Sequence, residues 1–449
     1  MSDKIDMEKD SLGKLLLKLA FPAIIAQMVN LFYNIIDRIF IGRMDNGEMA
    51  MAGIGVALPI IMIISAFSIL VGGGGAPLVA IKMGERNNKE AERIMSNSFI
   101  FLLIISFILT VIFSIFKRPI LLAFGGSENT IQYAVDYLGI YLIGTVFVQI
   151  ALGMNYFINT QGFTKMGMIT MSIGAIINII LDPVFIFVFD MGVKGAAFAT
   201  IIGQIVSAIW VLKFLFGDKG ILKIRKEYLK IELKVILPVI ALGLAPFIMQ
   251  ATESLVLVSL NNQLAKFGGD LAVSVITIMT SIMQIVTLPL MGLTQGAQPI
   301  ISYNYGANKI YRVRKTYKLL LLLCVSFTMI MSVLIICFPE VFVRIFNDNS
   351  ELIEMTSWAS KIYFAGMTIF GAQIACQQTF LALGQAKISL LLALLRKVVF
   401  LVPLTFIIPA LLGGSVENVL LAEPVADILA TIITSTCFYI FYKKKLRIE

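Results

Sequence analysis

Five carboxylates stand inside apolar stretches of this sequence: Asp37, Asp182, Glu253, Glu423 and Asp427. A charge within a membrane span costs at least about 2.5 kcal/mol, so such a residue ordinarily faces a cavity or a partner. Their neighbours repeat at helical spacing. Gln27, Asn30, Asn34 and Asp37 step by three, four and three, which sets them on one face of a helix. Asn178 and Asp182 are four apart, and Thr200, Gln204 and Ser207 continue the pattern on a further segment. Polar stripes of this kind, each with an apolar opposite face, predict one shared polar pocket in which charge is exchanged.

Depth supports convergence. At about 1.5 Å per residue, Asp182 lies roughly 20 Å along its helix, and Asp37 falls in the second half of its own. Glu253 comes late in one segment, while Glu423 and Asp427, an i,i+4 pair, come early in another. Plainer readings remain open at this point. Asp37 could pair with Arg38, although adjacent helical residues face different directions. Asn178 could simply hydrogen-bond Asp182, and Glu423 could sit at the interface. The 22 methionines are ordinary gap-fillers of a core, some of which could line a pocket for varied apolar ligands.

The segments that carry these residues are membrane spans. Hydrophobic residues make up 59% of the 449, charged residues only 14%, and mean hydropathy is +0.92; a soluble domain has about 25% charged residues. With about 20 apolar residues per span, the sequence predicts an all-α integral membrane protein of twelve helices near 15–41, 50–77, 94–116, 131–156, 168–189, 195–216, 235–262, 271–299, 317–338, 353–381, 388–411 and 418–442. The first run is too long for a signal peptide and is read as a span. The net charge of +9 sits in short loops rather than on a basic face, which argues against nucleic acid. Cys324, Cys337, Cys376 and Cys437 lack metal-ligand spacing. Gly72–Gly75 ahead of Pro77 lacks the Lys-Ser/Thr of a phosphate loop and predicts close helix approach instead.

Placing the N-terminus and every second loop in the cytoplasm puts 26 Lys and Arg on that side and six on the other, so both termini are expected inside. The chain also repeats itself. Pro22 pairs with Pro246, Pro77 with Pro299, Gly84 with Gly306, Tyr141 with Tyr363, Gly144 with Gly366, Gly162 with Gly384, Lys165 with Lys387 and Pro183 with Pro403, at offsets of 220 to 224. Six spans per copy is an even number, so the copies enter the membrane with one polarity and are related by an axis along its normal. The expected organisation is an N-lobe at 1–216, a basic cytoplasmic linker at 217–234 and a C-lobe at 235–449, rocking about a central cleft.

At Asn34–Asp37–Gly42, the glycine-rich turn to Pro77, the Gly84–Glu85 loop and Asn178–Asp182–Pro183, the chain resembles the multidrug and toxic compound extrusion (MATE) family, most of all its DinF/MepA-like bacterial branch. The resemblance implies a two-lobed antiporter in a bacterial cytoplasmic membrane, expelling small organic cations or amphipathic drugs against H+ or Na+. It carries a coupling-cation site onto Asp37, Asn178, Asp182 and Thr200, with sodium as the only metal and no cofactor. Candidate substrate contacts are Gln27, Asn30, Asn34, Tyr141, Gln204, Glu253 and Asp427. The chain has no histidine, the side chain that ordinarily titrates near pH 7, so proton coupling would run through carboxylates. A monomer is the expected state. The rival reading is a flippase for lipid-linked or amphipathic anionic precursors, for which basic cavity residues are expected; Arg396 and Lys397 are the intramembrane bases that would serve it. A membrane enzyme is disfavoured, since the sequence has no HExxH, no nucleophile elbow and no histidine.

Overall fold

The computed structural model describes residues 6–44, 46–124, 126–345 and 350–446, and these contain helices and no strand. We number the spans in chain order. They are α1 (Leu12–Gly42), α2 (Gly47–Gly84), α3 (Asn88–Ala123), α4 (Ile131–Ile143 and Thr145–Thr160, bent by 62°), α5 (Thr164–Val188), α6 (Gly192–Phe216), α7 (Leu233–Gly269), α8 (Leu271–Gly306) and α9 (Ile310–Cys337). Then come α10 (Ser350–Tyr363 and Met367–Ala382), α11 (Ala386–Leu412) and α12 (Val416–Lys445). Several outrun their expected apolar runs at both ends. Helix continues into polar flanks such as 88–93, where Asn87 caps α3 by accepting from the Glu90 N–H at 3.2 Å. Apolar length marks the lipid-facing core of a span and not its hydrogen-bonded limits.

The outer surface is what a bilayer requires. Large apolar side chains lie bare along the flanks, among them Phe107 (71% exposed) and Leu411 (78%), a surface that only lipid can cover. Two cores lie inside it, one built largely from α2–α6 and the other from α8–α12. The first halves of α1 and α7 are traded between them. Leu12, Leu15, Leu16 and Leu19 of α1 pack in the second core, and Val235 and Val239 of α7 in the first.

The repeat is visible in the backbone. Gly162 and Gly384 take left-handed φ values of +89° and +70° in matching loops, a conformation that favours glycine. Gly144 and Gly366 sit at the bends of α4 and α10, where a Cβ would strike Ile201 of α6 and Pro424 of α12, both at matching places. Gly84 and Gly306 contact each other's helices reciprocally: a Cβ on Gly84 would lie 2.0 Å from the Tyr303 carbonyl oxygen, and one on Gly306 would lie 2.0 Å from that of Ile81.

These contacts seal the lobes at one end. The other close crossings are Gly74 on Val239, Gly243 on Leu70, Gly292 on Ile24 and Gly296 on Ala20, all in the halves of α1, α2, α7 and α8 nearer to Gly84 and Gly306. The Gly72–Gly75 run thus serves close approach, with Gly72 against Tyr156 and Gly75 against Phe157. Asp37 lies 13 residues beyond Ile24, about 20 Å further along α1 and past the seal. Two straps cover the sealed end. Arg312 donates to the Met7 and Asp10 carbonyls at 3.0 and 2.8 Å, and Lys309 meets Glu8 at 2.5 Å. The segment between α6 and α7 is clasped to α3: Arg225 meets Glu92 at 2.9 Å, the Glu232 N–H donates to Asn97 Oδ1 at 2.8 Å, and Arg93 pairs with Glu232.

Candidate functional site

The first site forms where α5 and α6 touch. Gly174 and Gly203 lie against each other, with a Cβ on Gly203 only 2.7 Å from the Gly174 carbonyl oxygen. One turn along each helix the close approach brings Asn178 to Thr200, and the Asn178 amide donates to Thr200 Oγ1 and to Asp182 Oδ1, both at 3.2 Å. Pro183 follows at once. It lacks an N–H for the preceding turn, and the helix loosens into a π-helical turn at Val184–Val188, a device common at functional sites.

From α1, Asp37 places its carboxyl within hydrogen-bonding reach of Asp182. Both acids are buried, as are Asn178 and Thr200. Asp37 Oδ1, Asn178 Oδ1 and Asp182 Oδ2 have no hydrogen-bond partner. Three oxygens left without donors in a buried site are an arrangement that ordinarily demands one. Tyr33 and Tyr137 stand near Thr200, and Tyr141 stacks on Tyr137 with ring centroids 6.4 Å apart. A narrow cleft with about 20 Å³ of space that water can occupy opens beside Asn178, lined in part by Asn30, Tyr33, Met171, Asn178, Thr200 and Gln204. Two carboxyls in reach of one another, with spare oxygens around them, can hold one proton between them or ligate one small cation.

The second polar site has a different balance. A π-helical turn at Leu395–Leu401 in α11 turns two successive bases, Arg396 and Lys397, into the interior. Arg396 reaches Asp427 at 2.7 Å and Glu423 at 3.2 Å, both on α12, and its guanidinium lies 4.5 Å from the centroid of Phe370. Lys397 pairs with Glu253 of α7 and donates to the Met249 carbonyl at 3.3 Å.

Comparison with known proteins fits this geometry. The sequence pattern of the MatE family matches twice, at 22–184 and at 245–407. The chain belongs to the MATE family. Among curated relatives, the multidrug export protein MepA of Staphylococcus haemolyticus is 27% identical over 429 residues, covering 95% of this chain and 94% of the relative. MepA of Staphylococcus aureus NCTC 8325 is 25% identical over 434 residues, covering 95% and 94%. The solved structure of the MATE multidrug transporter DinF-BH is 35% identical, superposes with a TM-score of 0.88 and covers 96% of each chain. An outward-facing MATE structure of the MOP superfamily superposes at 0.91 over 99% of this chain and 98% of its own, at 20% identity. The twelve-helix, two-lobed MATE fold is therefore present, and the two family matches fall on the two copies of the repeat.

Within this MATE chain the structure sorts the expected residues. It brings Asp37, Asn178, Asp182 and Thr200 together and sets Asn30 and Gln204 in the cleft wall, with Tyr141 stacked on Tyr137. Gln27 and Asn34 are not among the lining residues; Asn34 is exposed and folds its amide onto the Asn30 carbonyl at 2.6 Å. Helical phase alone puts Asn34 on the stripe, but a short side chain able to reach its own backbone does so. In the second lobe the intramembrane acids meet bases. Asp427 and Glu423 are buried on Arg396, so Glu423 is no interfacial carboxylate, and Glu253 is taken by Lys397. Opposite charges in a medium of low dielectric find one another. Tyr33 and Tyr137 are additions that the sequence stripes do not single out; each stands one helical turn before a candidate residue, Asp37 and Tyr141.

Proposed function

We propose that this MATE protein exports small amphipathic molecules, often cationic, by antiport against H+ or Na+. The observation that carries this reading is the set of unpartnered buried oxygens on Asp37, Asn178 and Asp182 beside a cleft. The coupling ion is cargo here: either a proton shared by the two carboxyls or a sodium ion ligated by those oxygens and Thr200, since hard cations take oxygen ligands. Loading that ion neutralises the acids and favours one disposition of the lobes, while a bound organic cation favours the other. Mutual exclusion of the two makes an antiporter. The lobes are 1–216 and 235–449 with 217–234 as linker, and the sealed end with both termini faces the cytoplasm of a bacterial cell. The protein works as a monomer without a cofactor and catalyses no covalent step. The names of the MepA relatives and of DinF-BH, all multidrug exporters or transporters, support this reading.

The flippase alternative gains nothing from Arg396 and Lys397, because both bases are spent on carboxylates. The test is drug resistance in an efflux-deficient bacterium. The wild type confers resistance to cationic dyes, and Asp182→Asn at equal membrane abundance confers none. Resistance at the wild-type level from Asp182→Asn overturns the assignment.

A further inference from the structure

The second lobe holds three acids, the buried Glu423 and Asp427 and the exposed Glu253, against two buried bases, Arg396 and Lys397. One negative charge is left over. It resides in the buried triad, where Arg396 faces two carboxylates and Glu423 Oε2 has no hydrogen-bond partner although Glu423 is 4% exposed. Lys397 lies beside this triad: its ammonium is paired with Glu253, and it is near enough to feel the charges of Glu423 and Asp427. The Lys397 side chain is 9% exposed, whereas that of Glu253 is 56% exposed.

We propose that Glu253 is a binding site for the cationic group of a substrate, and that Lys397 is a tethered counter-cation which the substrate displaces onto Glu423. The charge count closes in that way. With Lys397 on Glu253, the triad carries one surplus negative charge. With an organic cation on Glu253 and Lys397 on Glu423 Oε2, every acid has its base and the whole cluster is neutral. Arg396 cannot make this move, because two carboxylates and the Phe370 ring hold it. Lys397 has a flexible four-carbon stem and a compact head, and only Glu253 and one backbone carbonyl to leave. Glu253 is thus a binding residue and Lys397 a positioning residue. The inference deepens the export reading, on which it rests for the nature of the substrate, by naming where its positive charge sits.

The test is equilibrium binding of tetraphenylphosphonium, and of an uncharged amphiphile of similar size, to the full-length protein in nanodiscs. Lys397→Met removes the competing ammonium and tightens phosphonium binding about tenfold, with the uncharged probe unchanged. Glu253→Gln abolishes the preference for the charged probe. Glu423→Gln, which removes the landing place but leaves Glu253 in place, weakens phosphonium binding several-fold. Lys397→Arg keeps the competitor and stays within about twofold of wild type. A merely structural ion pair would lower the melting temperature in Lys397→Met without moving the ratio of the two affinities; an unchanged ratio in that variant, or a preserved preference in Glu253→Gln, overturns the proposal. If Lys397→Met does not fold, Glu253→Gln decides alone. Binding is read without any ion gradient. A negative result in a protein that still extrudes phosphonium sinks this inference only, and a protein that binds as described but extrudes nothing sinks the export reading only.

Discussion

The two lobes share a fold and differ in how they treat buried charge. In the first, Asp37 and Asp182 face each other across α1 and α5 with amide and hydroxyl neighbours. In the second, α11 brings Arg396 and Lys397 to meet Glu253, Glu423 and Asp427. Each site lies beside a π-helical turn, in α5 and in its repeat mate α11. The same loosened helix presents an asparagine and an aspartate in one lobe and an arginine and a lysine in the other. A site meant to take up and release a small cation must leave its acids without a permanent base. A site that carries its own bases is held together by them or, as proposed above, is guarded by one of them.

The sharpest way to break the comparison is to remove one charge from each side. Asp182→Asn and Asp37→Asn each abolish gradient-driven export but leave stability within about 1 kcal/mol, because no base loses its partner. Arg396→Met strands Glu423 and Asp427 and costs about 3–5 kcal/mol, read as a large fall in thermal midpoint in nanodiscs. Changing both acids to their amides alongside Arg396→Met recovers most of that loss. Should Asp182→Asn destabilise as much as Arg396→Met, the acids of the first lobe have a structural partner after all.

A middle-sized effect concerns the seal. Gly306→Leu pushes a side chain into the Ile81 carbonyl, so the ends of α2 and α8 at the seal cannot close. A cysteine placed at Ala80, which is buried in wild type, becomes labelled by a water-soluble maleimide in that background. Labelling equal to that in the unaltered background contradicts the tight crossing.

The smallest effect is at the straps. Hydrogen bonding from Lys309 holds the Glu8 carboxyl below the usual carboxylate range, and Arg93 does the same to Glu232. A depressed carboxyl contributes stability above its unfolded pKa of about 4.3 and loses it as pH falls through the folded value. The straps therefore weaken only in acid, and Glu8→Gln leaves the pH profile of export between pH 6 and 8 unchanged. A displaced profile would assign these surface pairs a part in coupling.

Much of this was legible in the residues. Apolar length gave the spans, and recurring glycines and prolines gave the repeat that Gly84 and Gly306 express as a reciprocal contact. The stripe Asn178–Asp182 followed from helical period, and its meeting with Thr200 was what the family resemblance implied. What the sequence hid depends on long-range pairing. Nothing in the spacing of Arg396 and Lys397 says that they find Glu423, Asp427 and Glu253, residues far along the chain whose approach is fixed only when α7, α11 and α12 pack. Adjacent helical residues normally diverge, and the π-helical turn that lets both bases point inward has no simple sequence signature. Asn34 shows the converse, since helical period gives its phase but its amide prefers its own backbone.

The central claim is that Asp37 and Asp182 exchange a coupling cation for the substrate. It is tested most directly in proteoliposomes holding purified protein, with sodium and pH gradients imposed separately while movement of a cationic dye is followed. Wild-type protein moves dye in response to one of the two gradients and Asp182→Asn responds to neither, while still binding the dye. Dye movement by Asp182→Asn at the wild-type rate under the same gradient would contradict the account.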